Sequence, residues 1–207
     1  IFLVLCTKVM YNWDMTELQK LPIDSSKTET IKILKAENKA IKMLAELKGC
    51  ANLIPNQSIL INAVVLQESK DSSEIENIIT TKDDLYKAVS ETVKKIDSAT
   101  KEVMFYREAL YTGFNQLKEH GFISINDIVQ IQKVLVQNDA GIRTMPGTKL
   151  VNDTTNEVVY TPPESKAEID ELLKNFTEYL NNEDDSLSKL AILHYQFESI
   201  HPFYDGN

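Results

Sequence analysis

Apolar and polar positions alternate with a helical period along most of this 207-residue chain. Residues 11–26 read as an extended arm that ends in Leu21-Pro22 and leads into a helix through Asp24-Ser25-Ser26. From Thr28 to Leu47, apolar residues recur at Ile31, Leu34, Ile41, Leu44, Ala45 and Leu47, which predicts a helix with Gly49 as its stop. Pro55 opens a second helical stretch, Gln57 to about Ser69. Its Ile59-Leu60-Ile61 and Val64-Val65-Leu66 make it heavily apolar, so burial is expected. A polar segment, 71–77, follows. Thr81 reads as the N-cap of one long helix through Leu85, Val89, Val93 and Ile96 towards Tyr111. Ser124, with Asp127 three positions on, marks another start, followed by Ile128, Ile131, Val134 and Leu135 at helical spacing.

The pattern changes over 141–163. Gly141, Pro146 and Gly147 punctuate it, and Leu150-Val151 and Val158-Val159-Tyr160 flank the polar Asn152–Asn156, which predicts a short β-hairpin. Pro162-Pro163 are placed to begin the next helix at its first turn, running through Ile169, Leu172, Leu173, Phe176 and Leu180. After a linker at 181–185, Ser186 caps a last helix. Leu187, Leu190, Ala191, Ile192, Leu193, Tyr195, Phe197 and Ile200 occupy nearly all its faces, which predicts a central helix packed on every side. The fold class is all-α (mainly α), with about seven helices and one hairpin.

Composition agrees with a globular protein: 43% hydrophobic and 26% charged residues, with only 6 Gly and 6 Pro to break helices. The net charge of −9 lacks the electrostatic footprint of a nucleic-acid binder. Cys6 and Cys50 form no CxxC or Cys/His cluster, so neither a zinc site nor a disulfide is expected, and a reducing compartment is. The apolar opening Ile1–Cys6 is too short to span a bilayer and has no basic leader. It is expected to pack on the core of a cytoplasmic protein, with no membrane contact.

The candidate chemistry lies where the last helix ends. Pro202 disfavours the right-handed helical conformation at His201, so the helix breaks there. Phe203 can anchor the following loop inward, leaving His201 and Asp205 four residues apart on either side. Asp205-Gly206-Asn207 forms a tight turn whose N–H groups can converge on an anion. A histidine to take a proton, a carboxylate to hold a hard cation and N–H groups to hold phosphate suggest phosphoryl-type chemistry. On spacing alone, a plain helix end remains open. His194 reads as a core histidine and His120, before Gly121, as a helix C-terminal cap.

His201-Pro202-Phe203-Tyr204-Asp205-Gly206-Asn207 resembles the first seven positions of the Fic (Fic/DOC) family motif, H-x-F-x-(D/E)-G-N-G-R-x-x-R. Leu190–Ile200 is similar to the family's motif helix. Gly141-Ile142-Arg143 and Val159–Pro163 are similar to the segments bracketing its flap hairpin, and Leu44–Gly49 to its N-terminal region. Ser72-Ser73-Glu74-Ile75-Glu76-Asn77 fits the inhibitory pattern (S/T)-x-x-x-E-(G/N).

The resemblance implies a Fic fold with a flap, an N-terminal helical region over 1–100 carrying the inhibitory motif, and a Fic core over 101–207. It implies a protein adenylyltransferase that moves AMP from ATP to a Tyr, Thr or Ser hydroxyl of a target protein. His201 would be the base, Asp205 the Mg²⁺ ligand, and Gly206 and Asn207 nucleotide-binding residues. Ser72 and Asn77 would tether a short helix from which Glu76 pairs with the motif's last Arg and holds ATP unproductively. Lys149 and Leu150 of the flap would clamp the target, and a homodimer is an expectation of the fused inhibitory segment. The sequence ends at Asn207, without the motif's second Gly and two Arg residues, so inactivity is expected of the chain as written. A non-catalytic helical interaction module, and a Fic-like enzyme that transfers another phosphate-containing group or removes one, remain the alternatives.

Overall fold

Side-chain caps decide where most of the helices begin. The computed structural model describes residues 18–75, 77–90, 96–152, 155–183 and 186–207. The opening Ile1–Cys6, Glu76 and Val93 lie outside them. The elements run α1 (Ser25–Thr28), α2 (Ile31–Cys50), a 3-10 turn (Ala51–Leu53), α3 (Gln57–Ile75), α4 (Lys82–Val89), α5 (Ser98–His120), α6 (Ile125–Val136), β1 (Leu150–Val151), β2 (Val158–Tyr160), α7 (Lys166–Leu180) and α8 (Leu187–Ile200). The mainly-α class with a single hairpin holds among these residues. Asp24, Thr30, Thr81, Asp97, Ser124, Ser165 and Ser186 each accept a backbone N–H at the first turn of the helix they precede.

Two compact units divide the described chain: one holds Asn56–Gly141 and Gly206, the other 18–55, Ile142–Asp205 and Asn207. In the first, Leu66, Leu85 and Val103 form a buried cluster that Ile78 and Met104 flank. The Thr80 and Thr100 hydroxyls meet 2.6 Å apart beside it, so their burial leaves no orphaned polar atom. Ser124 and Asp127 form the expected capping box, and Gly121 closes α5 in the left-handed conformation with His120 just inside.

Three expectations fail in this unit. The long helix from Thr81 is two helices. Thr81 caps α4 as expected, but α4 ends at Val89, and Asp97 caps α5 through Thr100. Asp97 accepts from both the Thr100 N–H and its hydroxyl (2.9 and 2.6 Å), a local bonding pattern that competes with helix continuation. The second helix does not stop near Ser69. It continues to Ile75, with Gln67–Asp71 and Lys70–Glu74 pairs one turn apart along the added turns. Nor is its apolar run buried. Only the face of Leu66, Ser69 and Ser73 is covered, while Ile59 and Val64 remain 66% and 58% exposed, because the run wraps several faces and neighbours cover only one.

In the second unit the buried apolar residues are Leu21, Ile169, Leu172, Leu173, Phe176, Leu193, Ile200 and Phe203. A chain of aromatic rings runs Phe176, Phe197, Phe203 at 5.5 and 6.3 Å. The prolines do not start α7. Pro162 and Pro163 are buried ahead of it, and Ser165 caps Lys166 onward. The last helix is not apolar on every side either. Leu190 is exposed, and the buried face carries Lys189, Gln196 and Ser199. Those polar groups are satisfied locally: Gln196 Nε2 donates to the Gln19 carbonyl at 2.9 Å, Lys189 Nζ to the Asn182 carbonyl at 3.1 Å, and the Ser199 hydroxyl to the Tyr195 carbonyl at 2.8 Å. At its start, the Ser188 N–H and hydroxyl both donate to the Glu37 carboxylate of α2, an anion at a helix N-terminus. The hairpin pairs antiparallel, Leu150 with Tyr160 and Val151 with Val158.

Candidate active site

Helix α8 stops at His201, whose backbone is left-handed (φ 45°, ψ 61°) and whose N–H still reaches the Phe197 carbonyl at 2.9 Å. That is the simpler left-handed cap. The fuller version needs a second N–H from the next residue, and Pro202 has none. Three further carbonyls at this end are served from a distance. The Tyr160 hydroxyl of β2 donates to the Ser199 carbonyl at 3.0 Å. Arg143 donates through Nη2 to the Ile200 carbonyl at 3.2 Å and through Nε to the His201 carbonyl at 2.7 Å.

Beyond His201 the loop is tied to itself. Phe203 is 1% exposed, the expected inward anchor. Its N–H donates to Asn207 Oδ1 at 2.7 Å and its carbonyl accepts from Asn207 Nδ2 at 3.1 Å. Asn207 therefore spends its side chain closing the loop, and what it offers an anion is backbone. The N–H groups of Thr144 and Met145 both donate to the Tyr204 phenol oxygen, at 2.9 and 3.0 Å. Gly206 is left-handed (φ 70°), and a Cβ there would lie 2.5 Å from Val136 Cγ1. The Asp205 carboxylate is exposed. It is a hard oxygen ligand of the kind that suits Mg²⁺ shared with substrate phosphates.

The electrostatics favour a neutral imidazole. Burial lowers the His201 pKa, the Arg143 charge lowers it further, and the Glu198 backbone opposes the shift. His201 Nδ1 is buried without a partner in hydrogen-bonding geometry among the described residues. One turn earlier, burial pushes the Glu198 carboxyl up, and it lowers the half-buried His194. Burial also pushes the Tyr160 phenol up, to about 12.

Thus His201, Asp205 and Asn207 lie on one short loop. Lys149 is exposed at the entrance to β1, and Leu150 is its first residue. In the other unit, Ser72 lies inside α3, with its hydroxyl on Glu68 at 3.1 Å. Asn77 follows the helix end, left-handed (φ 63°) with its N–H on the Glu74 carbonyl. The short tethered helix expected there is the end of the longer α3. The sequence places Arg143, Tyr160 and Tyr204 in motif or strand segments and assigns none of them a hydrogen-bonding role at the site. Nothing in one sequence marks an arginine as buried, since arginine is ordinarily exposed.

A helix broken at a histidine, a self-closed Asp-Gly-Asn loop after it and a hairpin beside it make up the candidate site of this mainly helical fold. Residues 122–207 match the Fic/DOC family, and residues 34–115 match the Fic/DOC family N-terminal region. The chain belongs to the Fic/DOC family. It is also similar to protein adenylyltransferase fic-1 of Caenorhabditis elegans, 32% identical over 94 residues. That match takes in 44% of this chain and 18% of the relative, so the chain spans under a fifth of the curated protein it matches. Among the described residues, no helix is long and apolar enough to cross a membrane.

Proposed function

We propose that this protein transfers AMP from ATP to a hydroxyl side chain of a target protein. His201 takes the proton from the Tyr, Thr or Ser hydroxyl, the freed oxygen bonds to the α-phosphorus, and pyrophosphate leaves. The observation that carries this reading is the state of His201: a half-buried imidazole on a left-handed helix end, with its pKa lowered by burial and by Arg143. An imidazole that is unprotonated at neutral pH is ready to act as a base. The similarity to an adenylyltransferase supports AMP as the transferred group.

Asp205 would hold Mg²⁺, which supplies charge neutralisation at the nucleotide phosphates. Gly206 would offer its backbone N–H to phosphate from a turn that packs without a side chain against Val136, and Asn207 keeps the loop in shape for it. Lys149 and Leu150 would receive the target by strand addition to the hairpin edge. Glu76, with Ser72 and Asn77, would restrain the reaction by claiming the motif's last Arg. The proposed setting is cytoplasmic, with ATP and a protein target as partners and a homodimer as the assembly, which sedimentation would test.

The test uses radiolabelled ATP and Mg²⁺ with the motif's remaining Gly and Arg positions supplied. Label retained on protein after denaturation supports the reading, and mass spectrometry of the product identifies the group. Label that never becomes covalent counts against it.

A further inference from the structure

Arg107 and Arg143 are the only two arginines in the chain. Arg143 is fully buried, at 0% exposure. Burying a cation is costly unless hydrogen bonds compensate. No carboxylate pairs with it among the described residues, although Glu164 and Glu168 contribute negative charge from further off. Carbonyl oxygens compensate in part: those of Ile200, His201 and Pro163 accept from Nε and Nη2, Nη1 has no hydrogen-bond partner among the described residues, and the Arg143 backbone N–H donates to the Pro202 carbonyl at 2.9 Å.

Two of those contacts have a particular consequence. The Ile200 carbonyl belongs to the peptide plane before the His201 Cα and the His201 carbonyl to the plane after it. The rotations of those planes about the Cα are φ and ψ. One rigid guanidinium therefore holds both rotations of a residue whose left-handed backbone is disfavoured relative to the right-handed one. With φ and ψ fixed, so is the Cα–Cβ direction along which the imidazole leaves the backbone.

We propose that Arg143 is a positioning residue for His201, its planar guanidinium clamping both flanking peptide planes and thereby aiming the imidazole. The role rests on His201 acting as the base. Lysine in its place would keep the charge and lose the two-pronged grip.

The test is NMR on the 207-residue chain, without nucleotide or target. In the unaltered protein, two arginine Nε–H signals are expected. That of Arg143 should exchange with water at least about tenfold more slowly than that of Arg107. In Arg143→Lys, His201 ring signals should shift and broaden and its titration midpoint should move, while those of His194 stay put. A role confined to stability would lower the melting temperature and leave the His201 titration of the folded protein unchanged. Coincident His201 titrations in folded wild type and Arg143→Lys would overturn the proposal. If Arg143→Lys does not fold, the exchange measurement decides, and an Arg143 Nε–H as fast as that of Arg107 overturns it. Failure to detect AMP transfer with these signals as expected would sink the reading of His201 as base and leave the clamp intact.

Discussion

The Tyr160 hydroxyl donates to the Ser199 carbonyl at 3.0 Å, tying the flap hairpin to the last turn of the helix that ends in His201. Thirty-nine positions separate the two residues. The bond satisfies a carbonyl that the broken helix leaves without an intrahelical partner. The hairpin proposed to receive a target and the histidine proposed to accept its proton are thus held in one register.

Tyr160→Phe is expected to cost about 1–3 kcal/mol, since it leaves a terminal carbonyl unpaired. Burial raises the Tyr160 pKa to about 12 from an ordinary 10.0. Its contribution to stability is complete below the ordinary value and is lost as pH rises through the folded one. Urea melts from pH 9 upward should show an alkaline loss in wild type that Tyr160→Phe reduces. Parallel curves for the two proteins would contradict the assignment.

His194 and His201 titrate in the opposite sense. Burial lowers both, so the unfolded chain binds their protons more readily than the folded one. Stability is complete above the ordinary imidazole value of ~6.5 and falls as acid passes through the lower folded values. Glu198, raised by burial, contributes the opposite slope, so the comparison must be a difference. Replacing both histidines with glutamine should flatten the stability–pH curve between roughly pH 6.5 and 5. An unchanged slope would count against the lowered values.

Gly206→Ala should cost about 1–3 kcal/mol from the left-handed backbone alone, and the Val136 contact adds to it. A thermal-shift titration with ATP and Mg²⁺, motif completed, should lose its response in this variant. A retained shift of equal size would show that nothing near this glycine meets phosphate.

Phe203→Ala removes the loop's inward anchor beside Phe197 and should cost about 3–5 kcal/mol in urea denaturation. A cost below about 1 kcal/mol would mean that the Asn207 clamp alone holds the loop.

Glu76→Gly, made with the motif completed, should raise AMP transfer, including self-modification. Equal labelling by the two proteins would contradict inhibition by Glu76.

Much of this was legible in residue order because its cause is local. Pro202 dictates a break at His201, Ser124 and Asp127 announce a helix start, and the polar Asn152–Asn156 between two short apolar runs gives the hairpin. Burial was less legible, because it depends on which face finds a neighbour. Ile59 and Val64 look like core and are exposed, whereas Lys189, Gln196 and Arg143 look like surface and are buried. The split between α4 and α5 turned on Asp97, whose side chain bonds Thr100 in preference to continuing a helix. In the candidate site, the loop residues could be read directly. The groups that hold the helix end, Arg143 and Tyr160, lie 58 and 39 positions from the carbonyls they bond and carry no local mark.

The most direct measurement compares covalent AMP incorporation from labelled ATP by the protein and by its His201→Ala variant, each with the motif completed and checked for folding. A general base contributes about 10²–10⁴-fold, so the variant should fall at least ~100-fold while still binding ATP. A folded His201→Ala protein that labels as fast as wild type would contradict the account.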